Sequence, residues 1–466
     1  MSLSRLLRQS NSCGKMVKLE VTIISKETIK PSSPTLHDLK PYKLTLFDQV
    51  TPATFVPTVF FYPMSTNLNL DMSQIIAQLK KSLSDTLNIF YPFSGSIKNN
   101  LFIHDFDTGV PFSEARVNCS MLEFLKHQET DLLALFVPYR AFCKETDTTI
   151  GQVAIQLNIF VCGGIAIGLS CSHKIGDATT SSAFLHSWAA TFTGSPEKVI
   201  HPNFSEGSTM FPPRDSLPQK YIDTMDNLWF KEGDYVTRRF VFHDKAIATL
   251  RAKAKSELVP KPTRIEALTC FIWKSCMAAS KGISAGLKKT SMAMLVQAVN
   301  LRTRMKPRLS DASIGNIFWW APAAVDLTME ERELHELVDL VNAAITGFDT
   351  DFEENLQRNE GFLAFSDYFD QLEEMFSAEI KPDVWAFTCW LRFFNDLDFG
   401  WGKPFWIGIM GKVDSAFRNL IMFSETPCGI GIEAWVTMDE KEMAILENDP
   451  EFLAFASLNP SILLPL

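Results

Sequence analysis

The clearest pattern in the chain is a run of alternating apolar and polar or small positions at residues 152–162 and again at 165–171. Two strands are predicted, and the Gly163-Gly164 pair between them predicts a two-residue hairpin turn. In the second strand Ile165, Ile167, Leu169 and Cys171 share one face. Ala166, Gly168, Ser170 and Ser172 leave the other face small throughout, so something must pack closely against it. Residues 17–25 alternate and read as another strand. Residues 72–87 carry Ile75, Ile76, Leu79, Leu83 and Leu87 at helical spacing.

After Asp177 a helix begins, with Phe184 and Trp188 four residues apart. Further helices are predicted over 264–279 and 329–345, and strands over 293–299, 385–392, 406–410, 419–423 and 430–438, so both halves are mixed α/β. The stretch 201–219 holds Pro202, Pro212, Pro213 and Pro218 without a period and reads as a linker. A chain of 466 residues exceeds one ordinary core and divides into two domains of roughly 200 residues each. The boundaries expected are 16–200 and 225–466, joined by a crossover over 201–224. Residues 1–15 are basic, serine-rich and free of acids, and read as a disordered extension or an upstream start, with Met16 as a second start.

Composition narrows the function. A net charge of −10 argues against a nucleic-acid binder, which needs a basic face to displace counterions. The nine cysteines are scattered, odd in number and without a Cys-x-x-Cys pair, which suits free thiols in the reducing cytoplasm. The longest apolar run, 159–169, is too short for a membrane span. A soluble monomer acting on small molecules, with neither membrane nor nucleic acid as partner, is the expectation.

Ser172-His173-Lys174-Ile175-Gly176-Asp177 puts a histidine just after a strand of small residues and a carboxylate where a helix starts. A histidine at a strand end can project into a cleft, where its near-neutral pKa suits proton abstraction from a hydroxyl. Asp177 is placed to be the helix N-cap. Taken alone, one histidine beside a Gly-Asp turn is more often structural than catalytic. No metal site is expected, because the other histidines (37, 104, 127, 186, 201, 243 and 335) show no short ligand spacing. A serine-hydrolase elbow fails at Gly168-Leu169-Ser170-Cys171-Ser172 for want of the second glycine. The glycines of Gly429-Ile430-Gly431 lead into a strand, the wrong context for a dinucleotide site.

A second segment, Asp398-Phe399-Gly400-Trp401-Gly402, changes the reading. Together with His173-x-x-x-Asp177 it resembles the paired signatures of the BAHD family of plant acyltransferases. Tyr91-Pro92-Phe93-Ser94-Gly95, Asn300-Leu301-Arg302-Thr303-Arg304 and Gly315-Asn316 are similar to further family segments, so the resemblance runs from about Val17 to Pro465.

The resemblance implies two chloramphenicol-acetyltransferase-like mixed-sheet domains with the active site in a tunnel at their interface. It implies transfer of an acyl group from acyl-CoA, a co-substrate and not a bound cofactor, by His173 as general base and without an acyl-enzyme. It also implies that Asp177 pairs with Arg302 structurally, and that the loop from Asp398 to Gly402 shapes the CoA side without touching the acyl centre. Thr388 and Trp390 match acceptor-pocket positions, with the Trp390 indole as oxyanion donor or simply a buried strand residue.

The alternating Arg302, Arg304, Lys306 and Arg308 read as a solvated strand edge, or as a contact for CoA phosphates. Residues 25–34, Asp48-Gln49 and 431–436 look like the vinorine-synthase-like subgroup of alkaloid acetyltransferases, which points to acetyl-CoA as donor and an alkaloid hydroxyl as acceptor. Arg418 opens the alternative of malonyl-CoA, whose free carboxylate it could pair. A catalytically silent binding homologue is the non-enzymatic rival.

Overall fold

The computed structural model describes residues 18–33, 39–63, 71–126, 129–142, 151–283, 292–347, 361–378, 381–413 and 419–462. The expected extension over 1–15 and the candidate Arg418 lie outside them. The first half supplies strands β1 (Val21–Ile29), β2 (Tyr42–Lys43), β3 (Phe55–Tyr62), β4 (Ser96–Lys98), β5 (Phe102–His104), β6 (Val110–Val117), β7 (Val153–Phe160) and β8 (Ile165–Ser172). The second supplies β9 (Tyr235–Phe242), β10 (Met292–Asn300), β11 (Phe318–Asp326), β12 (Asp383–Cys389), β13 (Trp406–Gly408), β14 (Leu420–Glu425), β15 (Ile432–Asp439) and β16 (Ala456–Leu458).

Two mixed sheets follow, ordered β1-β6-β7-β8-β3-β13 and β11-β10-β12-β14-β15-β9-β16, with a small sheet β2-β5-β4 beside the first. β13, from late in the chain, pairs antiparallel with β3 and closes the edge of the first sheet.

The face rule read from β8 holds. Ile165, Ile167, Leu169 and Cys171 join a core with Ile75, Leu79, Leu83 and Leu87 of the helix Met72–Ile89 and with Phe184 and Trp188 of the helix Ala178–Thr193. On the small face a Cβ at Gly168 would lie 1.9 Å from the Phe136 carbonyl oxygen, and Ser170 Oγ donates to Tyr139 O at 3.1 Å. The segment leading to Ala141 is therefore what packs there. The turn is longer than the glycine pair predicts: Phe160 N donates to Gly164 O and Gly163 N to Phe160 O, making 161–164 the loop.

The expected linker over 201–219 contains a short helix, Glu206–Met210, and ends where the helix Gln219–Trp229 starts. A third core packs the second sheet against the helices Arg264–Ile283 and Leu334–Gly347. Between the halves runs a shared apolar cluster in which Phe47 and Phe61 of the first half meet Trp319, Trp406 and Met422 of the second. Among the described residues no helix is long and apolar enough to cross a membrane.

Candidate active site

β8 delivers its last residues to the seam between the sheets. His173 N donates to Thr54 O at 2.8 Å, fixing the exit of the strand. The chain then turns through Gly176, where a Cβ would stand 2.5 Å from Thr180 Cγ2, and enters the helix Ala178–Thr193. Asp177 caps it, as its sequence position predicts, accepting from Thr180 N at 3.0 Å.

The Asp177 carboxylate is fully committed. Oδ2 accepts from Arg302 Nη1 at 2.6 Å and Ile317 N at 3.2 Å, and Oδ1 accepts from Arg302 Nη2 at 3.1 Å. Arg302 is fully buried and also donates to Ser313 O and Gly315 O. A guanidinium and carboxylate matched in this two-pronged way fasten the second half to the helix start of the first. The solvated-edge reading of Arg302 is thereby corrected: β10 ends at Asn300 and the chain turns inward beyond it. Arg304 Nη1 returns to Asn300 O at 2.9 Å.

His173 makes a different set of bonds. Its Nδ1 lies 3.0 Å from Asn316 Oδ1, and the Asn316 amide nitrogen donates to His173 O at 2.6 Å and to Asp48 Oδ1 at 2.8 Å. Two acceptors on the nitrogen side fix which way the amide points, so its oxygen faces His173. That oxygen requires a hydrogen on Nδ1 and leaves Nε2 with its lone pair. Burial holds the imidazole pKa below its ordinary value, against smaller opposing contributions that include Asp177 and Asn316. The ring is neutral at neutral pH and able to accept a proton.

The ring lines a cavity built from both halves. Thr54, Thr58, Leu169 and Cys171 come from the first sheet; Asn300, Phe318, Trp320, Thr388 and Met422 come from the second. Met225 and Trp229 of the helix Gln219–Trp229 close one side. Trp229 and Trp320 pack at 4.7 Å between ring centroids, and Phe318 stands 6.0 Å from the His173 ring. Among the described lining residues the only acid is Asp177, already paired, and there is no lysine or arginine. The space suits a large apolar molecule held by few polar contacts.

Thr388 and Trp390 both face this cavity. β12 ends at Cys389; Trp390 N still donates to Phe423 O of β14, and the chain turns just beyond, where Arg392 takes a positive φ of 69°. The Trp390 indole packs on Phe394 at 5.7 Å. The Asp398–Gly402 loop lies outside the cavity lining. Asp398 Oδ1 accepts from Gly400 N at 2.7 Å and Gly402 N at 2.9 Å, and both glycines have positive φ, 91° and 103°. Phe399 and Trp401 stack on each other and pack against Trp188 and Phe192 of the first half.

The aromatic wall of Trp229, Phe318 and Trp320 was not expected from motifs. The run Phe318-Trp319-Trp320, alternating within a strand, was its only sequence signal. Asn316 is legible as part of a Gly-Asn pair, but its amide contact with His173 is not.

A model of the Transferase family matches residues 19–453. Akuammiline synthase 2 of Alstonia scholaris is 40% identical over 449 residues, 95% of this chain and 98% of that protein. A limonoid 7-O-acetyltransferase of Citrus sinensis is 40% identical over 463 residues, 95% and 99% of the two chains. The crystal structure of vinorine synthase superposes with a TM-score of 0.77 at 32% identity, covering 94% of this chain and 99% of that one. A TRI101 structure from F. sporotrichioides shares the fold at 16% identity and a TM-score of 0.69, over 90% of this chain and 100% of that one.

Proposed function

We propose, for a chain that belongs to the BAHD transferase family and is thus an acyl-CoA-dependent acyltransferase, that it acetylates a hydroxyl of a plant polycyclic metabolite with His173 as the base. The observation that carries the reading is His173 itself: a neutral imidazole, its Nδ1 committed to Asn316, on the wall of the cavity between the halves. Nε2 takes the proton of the acceptor hydroxyl as its oxygen attacks the thioester carbonyl carbon. The tetrahedral oxyanion collapses, the carbon–sulfur bond breaks, and the imidazolium returns the proton to the departing thiolate. Base action of this kind contributes roughly a hundred- to ten-thousand-fold.

Trp390 is assigned as the donor to the oxyanion, supported by its place on the cavity wall and by an indole N–H without a protein partner among the described residues. Thr388 belongs to the acceptor's surroundings. Asp177 and Arg302 are assigned structural roles, supported by the saturation of the Asp177 carboxylate. Asp398, Phe399, Gly400, Trp401 and Gly402 are assigned to shaping the loop on which the CoA side rests, supported by their self-contained hydrogen bonds and ring stacking.

An acceptor with several fused rings is supported by the Trp229–Phe318–Trp320 wall and by relatives whose names refer to limonoid acetylation and to akuammiline and vinorine synthesis. The same names support acetyl-CoA over malonyl-CoA, as does a described lining without a cation for a donor carboxylate. Side-by-side turnover of the two donors by wild type and Arg418→Ala tests this. A donor preference that moves with Arg418 favours malonyl. A monomer working in the cytoplasm is the corresponding setting, supported by the free thiols of Cys119, Cys162, Cys171, Cys270, Cys276, Cys389 and Cys428.

The deciding experiment is release of free CoA thiol with a panel of polycyclic alcohols, wild type against His173→Ala. Equal release, or none from either, removes the catalytic reading and leaves a binding protein.

A further inference from the structure

We propose that Asp48 is a positioning residue for the transfer reaction, acting on His173 through the amide of Asn316. The inference rests on the reading of His173 as the base. Asp48 sits in a short buried helix, Leu46–Val50, far from the cavity's motifs in sequence: 268 residues separate it from Asn316, and 143 separate Asn316 from His173. Its carboxylate is fully buried and only accepts. Oδ1 receives Asn316 N at 2.7 Å and Asn316 Nδ2 at 2.8 Å, and Oδ2 receives Thr45 N at 2.6 Å.

Burial pushes the Asp48 carboxyl above its ordinary value, the hydrogen bonds from Thr45 and Asn316 oppose that and favour the anion, and among the described residues no cation bonds to its oxygens. Lys174 does not neutralise it directly. The Lys174 ammonium donates instead to the carbonyls of Asp48 and Gln49 and to Asn100 Oδ1, each at 2.9 Å.

Two effects follow. The carboxylate holds the Asn316 amide nitrogen on its own side, so the amide oxygen can meet only a protonated Nδ1, which keeps the lone pair on Nε2. It also polarises the amide, strengthening the oxygen as an acceptor when His173 becomes an imidazolium in the middle of the reaction. The other charged groups around His173 are Asp177, bound to Arg302, and Lys174; Asp48 is also coupled to the buried phenol of Tyr42. None of these bonds to Asn316 Oδ1 or to the Nδ1 side of the ring.

The test compares Asp48→Asn, Asn316→Ala and Thr45→Val with wild type and His173→Ala, reading kcat, KM for acetyl-CoA, melting temperature and the acid limb of kcat/KM. Asp48→Asn is expected to lower kcat about tenfold and to move the acid limb about one unit to lower pH, with KM for acetyl-CoA changed by less than about twofold. Asn316→Ala should do the same from the other end, and adding Asp48→Asn to it should then move the limb no further. Thr45→Val removes the hydroxyl that caps the helix but leaves the carboxylate and Asn316, so it should lower the melting temperature without moving the limb. An unmoved limb and kcat in Asp48→Asn, or in Asn316→Ala if Asp48→Asn does not fold, overturns the proposal. Activity retained by His173→Ala would overturn the underlying reading instead.

Discussion

Residues 172–177 and 398–402 are both short motifs that combine an aspartate with glycine, and the molecule uses them differently. In the first segment the histidine and the aspartate divide: His173 keeps a nitrogen free toward the cavity, while Asp177 gives every lone pair to Thr180, Arg302 and Ile317. In the second, Asp398 turns back on its own loop and the rings of Phe399 and Trp401 fasten that loop to the helix Ala178–Thr193. Prominence of a motif therefore says nothing about contact with the reacting atoms. What separates the cases is whether the polar atoms have partners.

The contrast can be broken most directly by rate. His173→Ala should cost roughly a hundred- to ten-thousand-fold in kcat at an unchanged melting temperature. An equal loss from Asp398→Ala in a protein equally stable would erase the distinction. Next in size, Asp177→Asn breaks a buried ion pair and should cost about 3–5 kcal/mol of stability, seen as lower soluble yield and melting temperature. A stable Asp177→Asn protein that is merely slow would move Asp177 into the chemistry.

Smaller again, Gly402→Ala meets no neighbour within 4 Å but must hold φ near 103°. It should cost about 1–2 kcal/mol in thermal unfolding and leave the acid limb of the rate profile in place. The smallest effect is in pH itself. Because burial lowers the His173 pKa, the base form persists as pH falls, and kcat/KM should decline only below the ordinary histidine value of about 6.5. Variants in the Asp398 loop should share that profile, and a limb that moves with them would tie the two regions together.

Much of this was readable before any coordinates. Alternation in β7 and β8, the small face of β8 and the cap at Asp177 are local consequences of a few neighbouring residues, and they stand as read. The turn length and the end of β12 differ from the expectation because one local feature decides each: the Phe160 to Gly164 backbone bond, and the positive φ of Arg392 that turns the chain after Trp390. The surroundings of His173 were hidden for another reason. Asn316 reaches it, and Asp48 reaches Asn316, from distant parts of the chain, and no periodicity records such a meeting. For Arg302 the alternation of cations pointed to a wet edge while the resemblance implied a pair with Asp177, and the pair is what the structure holds.

The pairing of β13 with β3 has a consequence for synthesis. Phe405 N and Trp406–Gly408 cover the backbone of Val59–Phe61, and Trp406 stacks on Phe61 at 5.1 Å. A nascent polypeptide has made that apolar rim long before the ribosome reaches its cover. Until then the rim offers unpaired amides and carbonyls to any passing strand. A proteolytic or recombinant piece stopping near residue 200 should accordingly clump, and a supplied peptide spanning 400–412 should keep it dispersed.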